Sequence, residues 1–344
     1  MSGSGTVKCL MWDLDGTLWD GVLAEGDAVQ PRPSAIRTIR TLDERGILHS
    51  VASRNDAPHA LEKLREFGIG EYFLHPRIHW ESKVNSLRGI SESLRIGLDS
   101  LAFIDDDPVE REEVRRFLPD VLCLDASEVE TLSTRPEFVP PVSSEDASRR
   151  RAMYREDISR TRVEGQFPGT REEFLATLDM VFTIFVPGEA DLRRAEELTL
   201  RTNQLNTTGR SYSIEELNRY RSSPNHRLLL ASLEDRFGSY GRIGLALVEC
   251  RPAEWTLRLL LMSCRVLSRG VGTILLSYVM KRSQESGARL RAEFVPNERN
   301  RSMNVTLRFA GFRDSDTLHL LEWDSDLVPP PPSYVKVRYG PGLD

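Results

Sequence analysis

Short unbroken apolar runs at 7–12, 47–52, 101–104 and 121–124 have the length of buried strands and are too short for helices. Between them apolar residues recur at helical spacing: Ile36, Ile39 and Leu42 within 34–45, closed by Gly46, then the segments 57–67 and 84–94. The triplet Tyr72-Phe73-Leu74 follows the second of these, and 19–29 carries Gly-punctuated apolar pairs that predict a short hairpin flap. Strands alternating with helices predict an α/β unit on a parallel sheet with right-handed crossovers.

From 126 to about 177 the pattern weakens. Pro136, Pro140 and Pro141 with Ser143-Ser144 read as a linker. The charged run 148–162, with Met153-Tyr154 its one apolar pair, reads as an exposed helix with a solvated face; a docking site for an acidic carrier protein is the sharper alternative. Order then returns in a different rhythm. A strand is predicted at 180–186, a helix at 189–201, three successive antiparallel strands at 227–234, 241–250 and 254–264, and a helix at 273–285. A strand at 289–295, a helix at 300–309 and a strand at 318–323 follow, and Pro329 to Pro332 mark an extended arm. The expected division is 1–126, a connector 127–177, an α+β domain 178–326 and a tail 327–344.

A length of 344 residues agrees with two domains. The 28% of charged residues is ordinary for a globular protein, and a net charge of -6 argues against nucleic acid as the main partner. No apolar stretch has the length of a membrane span, and the opening M-S-G-S-G-T-V-K has no signal-peptide pattern. The four cysteines, Cys9, Cys123, Cys250 and Cys264, lack C-x-x-C spacing, which excludes a disulfide scaffold or structural zinc and points to a reduced, cytoplasmic setting.

Candidate chemistry collects where the predicted strands end. The first strand runs into Asp13-Leu14-Asp15-Gly16-Thr17, the second into Ser53-Arg54-Asn55, the third into Asp105-Asp106, and Lys83 opens a helix. Ligands of parallel sheets bind beyond the carboxyl ends of the strands. Carboxylates that converge there are costly without a divalent cation, so Mg2+ is the expected metal. D-L-D-G-T after an apolar strand resembles motif I of the haloacid dehalogenase (HAD) superfamily, and Ser53, Lys83 and Asp105-Asp106 match its other three motifs over 7–125. The resemblance implies Asp13 as nucleophile on phosphorus and Asp15 as acid and base. It implies Ser53, Arg54, Asn55 and Lys83 around the phosphoryl group, a metal held by Asp13, the Asp15 carbonyl and Asp106, and Asp105 behind them facing Lys83. Forty positions separate Asp13 from Ser53 and thirty separate Ser53 from Lys83. Neither interval holds a large cap, so an open pocket is expected.

In the second half, Arg269-Gly270-Val271-Gly272 joins a strand to a helix, a place where backbone N–H groups can meet phosphate. With the segment 304–312 (N-V-T-L-R-F-A-G-F) it resembles the GNAT acyltransferase fold, although Leu267 departs from the usual loop. Cys264 precedes that loop, and Arg265, Arg269 and the helix N-terminus could favour its thiolate; the other three cysteines sit within apolar strands and read as inert.

Together with T-N-Q-L-N-T-T, D-R-F-G and M-S-C-R-V-L-S-R-G-V, this fusion closely resembles the FkbH family, from which it departs at Leu205 and Ser268. That resemblance implies an enzyme that dephosphorylates D-1,3-bisphosphoglycerate and passes the glyceryl group, through Cys264, to the phosphopantetheine thiol of an acyl carrier protein. The setting would be polyketide biosynthesis of the methoxymalonyl or tetronate type. It also implies that Asn203, Gln204 and Asn206 hold glyceryl hydroxyls or pantetheine amides and that Asp235 is a base or orienting residue. A phosphatase whose second domain only binds protein, and a coenzyme A-dependent N-acyltransferase, are the alternatives.

Overall fold

The computed structural model describes residues 6–142, 144–324 and 327–343. Met1–Gly5, Ser143 and the boundary expected at 326 lie outside the described residues. Internal contacts divide the chain into Met1–Arg155 and Glu156–Asp344, each described below by itself.

The first unit holds strands β1 (Cys9–Trp12), β2 (Trp19–Asp20) and β3 (Gln30–Pro31), then helix α1 (Pro33–Glu44), β4 (Leu48–Ser53), α2 (Ala57–Glu66) and β5 (Arg77–Ile78). It continues through α3 (Lys83–Leu94), β6 (Leu101–Asp105), α4 (Pro108–Phe117), β7 (Leu122–Asp125) and the one-turn α5 (Glu145–Ser148). Five strands form a sheet in the order β5-β4-β1-β6-β7, all neighbours parallel. The central strands are buried along their length, which is why they read as continuous apolar runs without alternation. Register places Trp12 beside Val51 and Ile104, so Asp13 and Ser53 leave neighbouring strands at the same edge as Asp105. The helices that follow open on local signals: Asp56, Ser82 and Asp107 cap α2, α3 and α4 through side-chain bonds to backbone N–H groups. The expected flap is the ribbon of β2 and β3, paired at Trp19 with Pro31 and at Asp20 with Gln30.

The connector departs from its expected character. Asp125 and Glu128 form a capping box at a 3-10 stretch, Ala126–Thr134, in which Val129 and Leu132 are buried; the Thr38 hydroxyl donates to the Val129 carbonyl at 3.0 Å. Phe138 is fully buried. Helix α6 (Arg150–Gln166) follows. It keeps an exposed face, with Arg155, Ser159 and Arg162 on it, but turns other arginines inward: Arg150 is buried and donates to the Gly46 carbonyl at 2.7 Å, half-buried Arg151 pairs with Asp43 at 2.9 Å, and Arg160 is 1% exposed. Guanidinium stems carry apolar surface and their heads found carboxylates, a packing mode that apolar periodicity does not register.

The second unit contains α7 (Arg171–Ala176), β8 (Met180–Phe185), α8 (Glu189–Arg201), α9 (Ile214–Arg221), β9 (His226–Asp235), β10 (Gly238–Cys250) and β11 (Glu254–Met262). It closes with α10 (Ile274–Glu285), β12 (Arg289–Glu293), α11 (Arg301–Phe309), β13 (Phe312–Asp314), β14 (Leu320–Trp323) and β15 (Val335–Tyr339). The eight strands lie in the order β13-β14-β12-β11-β10-β9-β8-β15. Strand alternation feeds two cores: Leu228 and Leu230 pack with α8 and α9, while Leu229, Ala231 and Leu233 join the cluster that includes Met280 and Leu307 of α10 and α11. The segment expected as an extended tail supplies β15, which pairs in parallel with β8 from Val335–Met180 to Tyr339–Ile184. Edge pairing of a short polar strand leaves little apolar signal in sequence.

Candidate active site

At the carboxyl edge of the first sheet, Lys83 Nζ lies 2.8 Å from Asp13 Oδ1 and also contacts Asp105 Oδ2. All three side chains are nearly fully buried. Burial, with the neighbouring Asp105 charge, lifts the Asp13 carboxyl to about 7 against the pull of Lys83 and Ser53. Asp105 is raised for the same first reason, and Lys83 is raised because two carboxylates outweigh its desolvation.

Ligand oxygens of Asp13, Asp105 and Asp106 lie within 4.8 Å of one another. Three carboxylates facing one ammonium leave a formal charge of -2, which suits a hard divalent cation with oxygen ligands such as Mg2+. Asp106 is set by Thr17, whose hydroxyl accepts from the Asp106 N–H at 3.0 Å and donates to its carboxylate at 3.3 Å. Gly16 adopts φ +65, and a Cβ there would collide with the Asp106 carboxylate, so glycine is required twice over.

Asp15 is held by three donors. Trp19 Nε1 and the Leu23 N–H reach Oδ1 at 2.6 and 3.1 Å, and Asn55 Nδ2 reaches Oδ2 at 2.8 Å. The flap therefore fixes the carboxylate expected to move protons. Trp19 was not singled out in sequence; an indole four residues after D-x-D is its only signal. Arg54 Nη1 pairs with Glu110 Oε1 at 2.7 Å, and both line the same pocket of about 410 Å³ as Asp13, Lys83 and Asp106. Glu110 carries little signal in the sequence, since the apolar pattern marks no helix there; Asp107-Pro108, cap and first helical position of α4, is the available sign.

The second unit gathers its expected residues less completely. Cys264 is half-buried and begins a 3-10 turn, Cys264–Arg269, just past β11. Gly270, at φ +71, ends that turn; a Cβ on it would strike the Tyr334 hydroxyl, and Gly272 opens on free space. Beside this loop a cavity of about 590 Å³ is lined by Leu267, Ser268, Gly270, Tyr334 and Arg171. Arg269, expected to face phosphate or the thiol, is 1% exposed and bound to Asp157 at 2.7 Å and Glu164 at 3.3 Å. Asp235, expected as a base, accepts from Arg160 Nε and Nη2 (2.7 and 2.9 Å), the Tyr240 hydroxyl (2.9 Å) and the N–H groups of Phe237 and Gly238. A carboxylate so engaged is a structural anchor.

The amide-rich stretch is likewise turned inward at its end. Strand β11 meets β12 only through Leu257, and beyond that point the chain's own residues 205–207 fill the gap. The Met262 N–H donates to the Leu205 carbonyl, the Thr207 N–H to the Leu260 carbonyl, and the Val295 N–H to the Thr207 carbonyl, at 2.9, 3.0 and 2.9 Å. Asn206 is fully buried, its Nδ2 donating to the Thr202 carbonyl and its Oδ1 accepting from the N–H groups of Thr208 and Gly209. Of the three expected amides, Asn203 is half-buried and Gln204 exposed. Burial raises the thiols of Cys9 and Cys250, and that of Cys123 to about 11, in keeping with inert positions.

No protein-family description and no curated protein matches the chain. Among solved structures, the chain is similar to the N-terminal part of the protein BF1531 from Bacteroides fragilis, containing a phosphatase domain complexed with Mg, at 29% identity and a TM-score of 0.34. The match covers 37% of this chain and 39% of that one. It is similar at 24% identity and a TM-score of 0.26 to 3-deoxy-D-manno-octulosonate 8-phosphate phosphatase from Moraxella catarrhalis, over 32% of this chain and 63% of that one. It is similar at 17% identity and a TM-score of 0.32 to the ribosomal-protein-S18-alanine N-acetyltransferase from Escherichia coli, over 41% and 88%. The chain thus spans less than two thirds of the first two. With every TM-score below 0.5, fold class rests on strand order and register alone.

Proposed function

We propose that the first unit is a Mg2+-dependent phosphatase of the HAD type and that the whole chain is a glyceryltransferase. The observation that carries the proposal is the convergence of Asp13, Asp105 and Asp106, the first two paired with the buried Lys83, at the carboxyl edge of a parallel sheet. Asp13 attacks phosphorus, the P–O bond to the leaving group breaks, and Asp15 protonates the departing oxygen. Asp15 then takes a proton from the water that hydrolyses the aspartyl-phosphate. Ser53 and Lys83 hold the phosphoryl oxygens as charge develops on them. Mg2+ on Asp13, Asp106 and the Asp15 carbonyl would supply further charge neutralisation there.

For D-1,3-bisphosphoglycerate the two chemistries divide by phosphate. The Cys264 thiolate attacks C1, the bond to the acyl phosphate breaks, inorganic phosphate leaves, and a thioester remains. Asp13 removes the other, ester-linked phosphate. The phosphopantetheine thiol of an acyl carrier protein then attacks the thioester and frees Cys264. Hydrolysis of the acyl phosphate at Asp13 would waste the activated carbonyl, so the first site must favour the ester.

The test combines phosphate release with intact-protein mass spectrometry after incubation with 1,3-bisphosphoglycerate and Mg2+. Asp13→Asn should abolish release of the ester phosphate, and a glyceryl or phosphoglyceryl adduct should appear on wild type but not on Cys264→Ala. Retained release in Asp13→Asn would remove Asp13 as nucleophile; an acyl (glyceryl or phosphoglyceryl) adduct on Cys264→Ala would remove the relay. A second reading, a phosphatase whose second unit only binds protein, is favoured by the internal roles of Arg269, Asp235 and Asn206, and absence of any acyl adduct would select it.

A further inference from the structure

Asp15 is half-buried and lines the Asp13 pocket, while Trp19 and Asn55, which donate to it, are fully buried. The turn after β1 makes the first of these contacts. The N–H groups of Thr17, Leu18 and Trp19 all reach the Leu14 carbonyl, at 3.2, 2.8 and 3.2 Å, and this folds the indole back onto the carboxylate four positions earlier. Phe67 packs edge to face on the Trp19 ring, with centroids 6.0 Å apart, and holds its N–H in place. Asn55 is fixed by a different route. Its Oδ1 accepts from the Asp56 N–H at 2.9 Å, which leaves Nδ2 to face Asp15. The donors divide unequally between the two oxygens of Asp15. Oδ1 takes two, from Trp19 Nε1 and the Leu23 N–H, and a carboxyl oxygen has two lone pairs to offer. Among the described residues Oδ2 takes one, from Asn55, and so keeps one position open toward the pocket.

We infer that Trp19 and Asn55 are positioning residues that make Oδ2 of Asp15 the oxygen that carries the proton and Oδ1 its fixed anchor. This inference rests on the phosphatase reading of the site and deepens it. In the acid form Oδ1 is the carbonyl oxygen and accepts twice, while Oδ2 accepts from Asn55 and turns its hydroxyl to the departing oxygen. The bond from Asp13 to phosphorus forms, the P–O bond to the leaving group breaks, the proton moves from Oδ2 to the departing oxygen, and the alcohol leaves neutral. Asp15 is then a carboxylate whose open Oδ2 lone pair takes a proton from the water that attacks the aspartyl-phosphate. The bond from Asp13 to phosphorus breaks, inorganic phosphate leaves, and the acid form is restored. Trp19 and Asn55 act through Asp15 alone, Trp19 by keeping the proton off Oδ1 and Asn55 by aiming Oδ2.

A proton given to the leaving group matters most where that group leaves badly. The test compares kcat/KM, which covers the steps up to loss of the alcohol, for 3-phosphoglycerate, phenyl phosphate and p-nitrophenyl phosphate, on the full chain with saturating Mg2+. Trp19→Phe keeps an aromatic ring and loses the donor; Asn55→Leu keeps the size and loses the amide. In both, kcat/KM should fall at least tenfold further for 3-phosphoglycerate than for p-nitrophenyl phosphate, with phenyl phosphate between, out of the about 10²–10⁴-fold that general acid catalysis contributes. Asp15→Asn should show the same steep dependence on the leaving group, and adding either substitution to it should steepen it no further, because residues that act through one group are not additive. Asn55→Leu carries the test should Trp19→Phe fail to fold. Losses in equal proportion on all three esters, the mark of a structural role or of a phosphate contact from Asn55, overturn the inference while the phosphatase reading survives; further steepening in the Asp15→Asn background overturns it too. Should wild type release phosphate from none of the three, the phosphatase reading falls and this one with it.

Discussion

Lys83 shows how much of the site depends on one residue. It stands between Asp13 and Asp105 with 6% of its side chain exposed, and both carboxyls are driven upward by burial in spite of it. Removing one member of a buried ion pair leaves charge without compensation and costs about 3–5 kcal/mol. Lys83→Met should therefore lower the metal-free unfolding free energy by that order, with a larger loss at pH 8 than at pH 5, since protonated carboxyls need no partner. Mg2+ should recover part of the loss, as read by denaturant unfolding with and without the ion. Equal losses at both pH values would mean that the ammonium does not balance these carboxylates. At this scale the sequence is informative about place: it puts Asp13, Asp15, Ser53 and Asp106 at or just past strand ends, and there they lie. It was silent where a role depends on a partner far along the chain. Glu110 gains meaning only from Arg54, and Asp235 loses its expected one only because Arg160, 75 positions earlier, takes its carboxylate.

Helix α6 is the element on which sequence and structure part most. Its apolar content is sparse, and the run R-R-R-A-M-Y-R suggests solvent. Yet Arg160 lies fully inside, doubly bonded to Asp235 and 4.0 Å above the Tyr240 ring, while Arg269 reaches back to Asp157 and Glu164 of the same helix. Periodicity records apolar faces, and this face is sealed by charge pairs and a cation–π contact instead. Breaking and replacing the pair should differ in sign. Arg160→Met alone strands a buried carboxylate and should cost about 3–5 kcal/mol. Adding Asp235→Leu should recover most of it if packing is kept, while a single Asp235→Leu should be about as harmful as Arg160→Met. Urea unfolding of the four proteins gives the coupling; additive single losses would mean that the pair is not a unit. If Asp235 were a base for acyl transfer, the double variant would fold and lose the transfer.

Within the first unit as a whole, one slope of stability against pH follows from a residue that no chemistry requires. His49 is fully buried on β4, accepting from Trp12 Nε1 at Nδ1 (3.1 Å), with Nε2 3.0 Å from the Ile39 carbonyl, to which the neutral ring donates. Desolvation lowers it to about 3 from an ordinary 6.5, so the folded unit keeps it neutral while the unfolded chain protonates it. Above pH 6.5 neither state binds the proton and stability is unaffected. Between 6.5 and 3 the unfolded state binds one more proton, and stability falls by up to about 1.4 kcal/mol per pH unit. Asp13, Asp43 and Asp105 act in the opposite sense, since burial raises them and the folded unit gains protons as pH falls. The whole curve mixes these slopes, and a difference isolates one of them. His49→Asn keeps an acceptor for Trp12 and removes the titration. Urea unfolding followed through Trp12, Trp19 and Trp80, in a Trp255→Phe, Trp323→Phe background, should show the variant losing ground to wild type above pH 6.5 and closing the gap by about one proton's slope below it. A gap constant from pH 7.5 to 4.5 would mean that His49 is charged in the fold. The apolar rhythm of residues 47–52 made β4 legible with the histidine in it, yet its neutrality comes from α1 and β1, which the sequence places around it only once the sheet order is known.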